Sequence, residues 1–176
     1  PIGLERALSL RDRLDLPPDA CLFGSFGVVS HTKQLEAALA AFAEVRAAAP
    51  NCVYLIVGEW DPRDVDLPAL VERLGLADAV RCLGHVPSLR EFLGWLAAVD
   101  VVINLRHPTV GETSAVALRA LVAGRALVVY DHGWYAELPA DICVKLPPLD
   151  HAALTATMRT LAADPQARAA LGRRGE

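Results

Sequence analysis

The sequence has 176 residues, 53% of them hydrophobic, and its 17 basic and 21 acidic residues give a formal net charge of -4. This length suits one domain with a sizeable buried core, and the acidic balance argues against nucleic-acid binding, which usually needs a basic face. No basic tract, long apolar segment or small-residue cleavage site indicates a membrane surface, a transmembrane segment or a signal peptide.

Short apolar runs bounded by Gly, Pro or Asp alternate with segments of helical periodicity along the chain. The apolar runs predict six buried strands, at 20–27, 52–59, 79–85, 101–105, 126–131 and 142–146. Helical patterns lie between and after them, at 33–49, 67–75, 89–99, 114–123, 151–162 and 165–173. Regular alternation of this kind predicts an α/β fold with a doubly wound parallel sheet of about six strands and flanking helices. We expect residues 1–19 to form a linker and leading helix, and residues 20–176 to form the domain.

The four cysteines are widely spaced and fall in or beside apolar runs: Cys21, Cys52, Cys82 and Cys143. This pattern indicates reduced core residues of a cytoplasmic protein, and it lacks the spacing of a disulfide framework or a CxxC metal site. The histidines are scattered, so no metal site is expected. The abundance of alanine and arginine suggests a bacterial source.

The loop after the first predicted strand is a candidate ligand site, because ligands of open parallel sheets bind beyond the carboxyl ends of strands. Its sequence, "GSFGVVSHTK", contains Gly27 for a tight turn and brings Lys33 to the start of the next helix. The stretch has neither the Walker A nor the GxGxxG spacing. By itself it is equally consistent with a turn that carries a surface lysine.

The segment "RHPTVGETS" after the fourth predicted strand is more informative. Gly111 favours a turn, and Thr113 or Ser114 can cap the following helix. The free N–H groups and the positive end of the dipole at such a helix start form an anion site that suits a phosphate. Glu112 is consistent with two roles, a favourable charge at the helix start or an acceptor for ligand hydroxyls.

Four blocks in this order resemble the carboxy-terminal, donor-binding half of the family 4 glycosyltransferases: "GSFG....TKQLEAALAAFAEV", "VYLIVGE", "VRCLGHV" and "PTVGETSAVALRALVAGRALVVYDHGWYAELP". These are retaining enzymes of the GT-B fold, which has two facing Rossmann-like halves. The similarity extends over roughly residues 20–175, and its specific part is the block at 108–139. The resemblance implies that the chain is the Rossmann-like half that binds a nucleoside diphosphate-sugar.

The family's diphosphate ligands and its Glu-x7-Glu motif are only partly present. Lys33 matches the family's lysine, whereas Val28 stands at the position of the usual arginine, and Arg106 is a candidate replacement. The two glutamate positions align with Gly111 and Arg119, so both depart from the motif.

Glu112 lies one place from the first glutamate position and is a candidate for its sugar-hydroxyl role. Arg119 cannot accept hydrogen bonds from ribose hydroxyls. "GETS" followed by an arginine in the helix is nevertheless similar to a variant pattern of such transferases. Whether Glu112 and Arg119 replace the usual glutamates stays open.

In the implied mechanism, Lys33 and the amides of Thr113 and Ser114 stabilise the leaving diphosphate, and Glu112 orients the sugar. The donor is of the UDP or GDP type, and no metal or cofactor is expected. The other candidate donor-binding residues are Gly27, Arg106, Gly111 and Arg119, with Glu59, His85 and Val86 beside the base.

The resemblance also implies an acceptor-binding half that would precede Pro1, so the chain is expected to be a fragment with no transferase activity of its own. Peripheral membrane association of the full protein stays open. Two other functions compete: a GT-B enzyme of the epimerase type, and a non-catalytic nucleotide-binding or assembly module. The sugar, base, acceptor and oligomeric state are not determined by the sequence.

Overall fold

The computed structural model describes residues 9–14, 16–17 and 19–175, and its centre is a six-stranded parallel sheet. The strands are β1 (Leu22–Phe26), β2 (Val53–Val57), β3 (Val80–Gly84), β4 (Val101–Ile103), β5 (Ala126–Tyr130) and β6 (Val144–Leu146). Their order is β3-β2-β1-β4-β5-β6, and every neighbouring pair is parallel. The predicted doubly wound α/β fold is confirmed.

Six helices connect or follow the strands: α1 (Leu35–Ala48), α2 (Leu67–Arg73), α3 (Leu89–Ala98), α4 (Ala115–Val122), α5 (His151–Ala163) and α6 (Pro165–Gly175). Two short 3-10 turns occur at His31–Lys33 and Gly133–Glu137. Residues 9–12 are also helical. Residues 1–8, 15 and 18 of the predicted leading segment lie outside the described residues, as does residue 176.

Helices cover both faces of the sheet, which explains why its central strands are apolar throughout rather than alternating. Every residue of β2 and β5 is buried. On one face, side chains such as Phe42 of α1 and Met158 of α5 pack in a continuous apolar cluster. On the other face, Trp95 of α3 and Ala117 of α4 belong to a second cluster.

The chain reverses its direction of winding between β1 and β4, which are neighbours in the sheet. Loops that leave the carboxyl ends of these two strands therefore diverge and open a crevice, which we call the switch point. Ser25 fixes the strands there, because its Oγ donates to the Ile103 carbonyl at 3.0 Å and lies 2.7 Å from the Tyr54 hydroxyl. The switch point is thus built on a rigid base.

All four cysteines were predicted to lie in the core, and three of them do. Cys21, Cys52 and Cys143 are buried as expected, but Cys82 is exposed, so the prediction of four core cysteines is wrong for it. The strand β3 that carries Cys82 lies at the edge of the sheet, where its outer side has less cover.

Among the described residues, no helix is long and apolar enough to cross a membrane.

Candidate functional site

The loop after β1 (residues 27–34, the β1 loop) turns sharply because two glycine backbones meet there. Gly27 has a φ of +86°, and its N–H donates to the Val57 carbonyl at 2.8 Å. A Cβ on Gly58 would lie 2.0 Å from the Gly27 carbonyl oxygen, so only glycine permits this approach. The turn brings the 3-10 segment that follows back over the end of β1.

Lys33 is held at the mouth of this turn. Its Nζ donates to the Phe26 carbonyl at 2.8 Å and would lie 3.1 Å from a Cβ placed on Gly27. Burial, with a smaller contribution from the nearby charge of Arg106, lowers the pKa of the Lys33 ammonium to about 8. Within the described part of the chain Lys33 forms no ion pair. An anion bound here would favour the charged form of the lysine.

The loop after β4 (residues 104–114, the β4 loop) is closed by an ion pair within itself. Arg106 Nη1 donates to Glu112 Oε1 at 2.5 Å. The Arg106 carbonyl accepts a hydrogen bond from His132 Nε2, which ties this loop to the segment after β5. The arginine that could replace the family's missing basic residue is therefore engaged with a carboxylate.

Glu112 shapes the β4 loop through three contacts. Besides Arg106, its carboxylate accepts from the Thr109 hydroxyl at 2.7 Å and from the Val110 N–H at 3.0 Å. The Thr109 hydrogen bond is the largest cause that lowers the pKa of Glu112 to about 2. A carboxylate offers about four acceptor positions, so these three donors leave about one on Oε1.

The start of α4 lies against the glycine turn. The Ser114 hydroxyl caps α4 by accepting from the Ala117 N–H at 3.2 Å, whereas Thr113 is exposed and has no capping contact among the described residues. The N–H groups of Thr113 and Ser114 donate to no acceptor in the described part of the protein. Val116 Cγ2 would lie 3.8 Å from a Cβ on Gly27. Gly27, Lys33 and the first turn of α4 are thus neighbours at one end of the crevice.

The residues predicted to contact the base lie along the same edge of the sheet but farther from the switch point. Glu59 and His85 are exposed, whereas Val86 packs partly against the core. The Glu59 carbonyl accepts from the Val29 N–H at 2.9 Å, which joins its loop to the β1 loop. Because neighbouring strands lie about 4.8 Å apart, the end of β3 is about 14 Å from the end of β4.

The two positions that align with the family's glutamates have other surroundings. Gly111 is exposed, has a φ of +87°, and donates its N–H to Thr109 Oγ1 at 3.1 Å. Arg119 is half-buried on α4, and its side chain makes no hydrogen bond or ion pair among the described residues. Neither residue is hydrogen-bonded to Lys33 among the described residues.

Sequence reasoning missed a buried polar network beneath the site. Asn104, only 3% exposed, donates from Nδ2 to Ser114 Oγ at 2.8 Å and to the Tyr135 hydroxyl at 3.0 Å. The asparagine in the apolar run "VVINL" could have indicated this network, because a buried amide needs hydrogen-bond partners. Tyr135 gave none, because its contact depends on a chain segment 31 residues away.

No group of three or more His, Cys, Asp or Glu side chains in the described ranges is arranged to hold a metal ion. The positive electrostatic features of the crevice are the Lys33 ammonium and the amides at the start of α4. Together they suit a multiply charged anion such as a diphosphate.

Comparison with known proteins identifies the family of the chain. A model of the family described as "Glycosyl transferases group 1" matches residues 17–164. The chain is 28% identical over 169 residues to the 2-deoxystreptamine glucosyltransferase of Streptomyces kanamyceticus, covering 94% of this chain and 42% of that protein.

Two solved structures have the same fold. The C-terminal domain of the group 1 family protein LpcC from Francisella tularensis matches with a TM-score of 0.83 and 21% identity, covering 98% of this chain and 90% of that one. HepE from Anabaena, solved in complex with UDP, matches with a TM-score of 0.84 and 22% identity over 98% of this chain and 47% of that one. The chain therefore spans less than half the length of HepE and of the Streptomyces enzyme.

Proposed function

This chain belongs to the group 1 glycosyl transferases, and on that premise we propose that it is the donor-binding half of a retaining family 4 enzyme. The proposal is supported by the position of Gly27 and Lys33 next to the first turn of α4 at the switch point. In this proposal the crevice binds a nucleoside diphosphate-sugar of the UDP or GDP type. The complexes of HepE with UDP and with UDP-glucose support this ligand class.

Lys33 and the N–H groups of Thr113 and Ser114 stabilise the leaving group in this proposal. When the bond between the anomeric carbon and the diphosphate breaks, negative charge grows on the diphosphate oxygens. Preorganised donors that meet this charge lower the transition state more than the ground state. The low pKa of free Lys33 fits this role, because the ammonium gains an anionic partner only when the donor is present.

Glu112 is proposed to orient the sugar through the one acceptor position that its loop contacts leave free. Its carboxylate stays ionised at all ordinary pH values, since its pKa is about 2. Arg106 contributes to the diphosphate site by its charge while it remains paired with Glu112. Gly111 and Arg119 are proposed to bind the donor as well, Gly111 from the β4 loop and Arg119 from α4.

The base is proposed to lie near Glu59, His85 and Val86. The loops after β2 and β3 are next to the β1 loop in the order of the sheet, so a nucleoside attached to the diphosphate extends towards them. No metal ion or cofactor is assigned a role, because Lys33 and the helix amides supply the neutralising charge.

The acceptor, and with it the transfer reaction, is proposed to require a second half of the GT-B fold. The chain covers 42% of the Streptomyces enzyme, which leaves room in that protein for such a half. We expect no turnover by the 176-residue chain alone. Reduced cysteines and the composition of the sequence favour action in a bacterial cytoplasm.

Isothermal titration of the chain with UDP, GDP and ADP, and with uridine, guanosine and adenosine, tests this proposal. One nucleoside diphosphate should bind at least about ten-fold more tightly than its nucleoside, since ionic hydrogen bonds contribute roughly 1.5–3 kcal/mol each. Binding should persist in EDTA. Absence of binding to all three diphosphates would contradict the donor site and favour the assembly-module alternative.

A further inference from the structure

A small recess lies at the bottom of the crevice, between the β1 loop and the end of β4. Ser25, Gly27, Lys33 and Asn104 are among the residues that line it. Its cavity volume of about 10 Å³ is near the smallest that can hold one water molecule. The recess therefore accommodates a single oxygen-sized group rather than a whole sugar or phosphate.

Asn104, which is buried and lines this recess, has one polar side-chain atom without a partner among the described residues. Both N–H bonds of its amide are directed to protein partners, Ser114 Oγ and the Tyr135 hydroxyl. Its Oδ1 has no donor within hydrogen-bonding distance among the described residues. A buried amide oxygen of this kind costs free energy unless a ligand or water supplies a donor.

The order of subsites along the sheet indicates which part of the donor reaches the recess. The base is placed over the ends of β3 and β2, and the diphosphate lies between Lys33 and the start of α4. The sugar is attached to the opposite end of the diphosphate from the nucleoside, so it lies on the β4 side. Asn104 directly follows β4.

We propose that Asn104 is a sugar-binding residue whose Oδ1 accepts a hydrogen bond from one hydroxyl of the donor sugar, with that hydroxyl oxygen seated in the recess. A phosphate oxygen has no proton to donate to Oδ1, whereas a sugar hydroxyl has one and can also accept from Lys33. The proposal rests on the donor-binding function proposed above. It gives this chain an acceptor for sugar hydroxyls beside Glu112.

The test compares a nucleoside diphosphate with its glucose conjugate in the 176-residue chain. The nucleotide is whichever of UDP, GDP or ADP binds the wild-type chain, and the conjugate is UDP-glucose, GDP-glucose or ADP-glucose. The readout is the ratio of the two dissociation constants. A general loss of stability or of the diphosphate site changes both constants and leaves this ratio unaltered.

Asn104→Ala should reduce the preference for the sugar conjugate by about five- to ten-fold, the effect of one lost hydrogen bond. Asn104→Ser, whose hydroxyl oxygen is one bond closer to the backbone than the amide Oδ1, should give the same loss if the alanine variant folds poorly. Asn104→Asp keeps an oxygen towards the recess and should retain the wild-type ratio, even if its charge weakens both ligands. Tyr135→Phe is the matched control, since it removes a network hydroxyl that does not line the recess.

An unchanged ratio in Asn104→Ala and Asn104→Ser would overturn the proposal and leave Asn104 with a structural role. Equal weakening of nucleotide and conjugate would also overturn it, because the contact would then be to the diphosphate. A wild-type chain that binds none of the three nucleotides contradicts the proposed function itself, and that failure is seen before any variant is made.

Discussion

The β1 loop and the β4 loop each bring one basic side chain to the switch point, Lys33 and Arg106. Lys33 is half-buried and has only a backbone carbonyl as its partner among the described residues. Arg106 is paired with Glu112, whose carboxylate also fastens the rest of its loop. The two basic side chains at this crevice therefore have different roles. Lys33 of the β1 loop is available to a ligand, whereas Arg106 of the β4 loop stabilises the conformation of its own loop.

The largest expected effect comes from removing the cation of the β1 loop. Lys33→Ala should raise the dissociation constant for the nucleoside diphosphate by about 10- to 100-fold, because it deletes a charge-assisted hydrogen bond. Lys145→Ala is the matched control, since Lys145 is the one other lysine of the chain and pairs with Asp131 at the far side of the sheet. Calorimetric titration of both variants measures the difference. Equal losses in both variants would show that the effect is not specific to the β1 loop.

The second effect depends on pH and sharpens the same comparison. Lys33 has a pKa of about 8 in the free chain, so raising the pH from 7 to 9 removes its proton. Nucleotide affinity should fall about ten-fold over this range, and binding near pH 8 should take up a proton, seen as a dependence of the heat on the buffer. Glu112, with a pKa of about 2, contributes nothing in this window.

The same pKa shift has a consequence for stability. The pKa of Lys33 is lower in the folded chain than its ordinary value of 10.5, so the unfolded chain binds more protons between pH 8 and 10.5. The free energy of unfolding should therefore gain a positive slope with pH in this window. Lys33→Met should lack this contribution in urea unfolding measured at several pH values, and a wild-type slope in the variant would contradict the assignment.

A third effect separates the cap of α4 from an ordinary helix cap. Ser114→Ala and Ser88→Ala each remove a serine that caps a helix, α4 and α3 respectively. Ser88→Ala should lose about 1 kcal/mol of stability, and Ser114→Ala should lose more, because the buried Asn104 amide also loses an acceptor; thermal or urea unfolding measures both. Only Ser114→Ala should weaken nucleotide binding, by a few-fold, because it disturbs the amides at the switch point. Weakening of the same size in both variants would show that the effect is general.

The smallest effect concerns the ion pair of the β4 loop. Glu112→Gln keeps the shape of the side chain but loses the charge that holds Arg106. The affinity for the nucleoside diphosphate should change less than about three-fold, whereas the affinity for its sugar conjugate should fall. Titration with both ligands measures this. A large and equal loss for both ligands would place the Glu112 loop at the diphosphate instead of the sugar.

The fold was largely predictable because its signals are local. Apolar runs bounded by turn residues located all six strands, and helical periodicity located the six helices, with ends shifted by a few residues. The ends shifted because strand limits depend on neighbours: the predicted strand at 101–105 ends at Ile103, where pairing with β5 stops at Val128.

The site was only partly predictable. Lys33 and the α4 start were identifiable, because they follow strands at the switch point and Lys33 matches a family motif. The Arg106–Glu112 pair and the contact of Asn104 with Tyr135 were not, since both depend on how loops fold in space. Whether each predicted residue contacts the donor stays a prediction.

The most direct test of the proposed donor site is a crystal structure of the chain with the nucleoside diphosphate that it binds in titration. The β-phosphate should lie within hydrogen-bonding distance of Lys33 Nζ and of an N–H at the start of α4, and the base should lie towards β2 and β3. A nucleotide bound elsewhere, for example in the polar groove between α1 and α2 near Asp64 and Arg73, would contradict it.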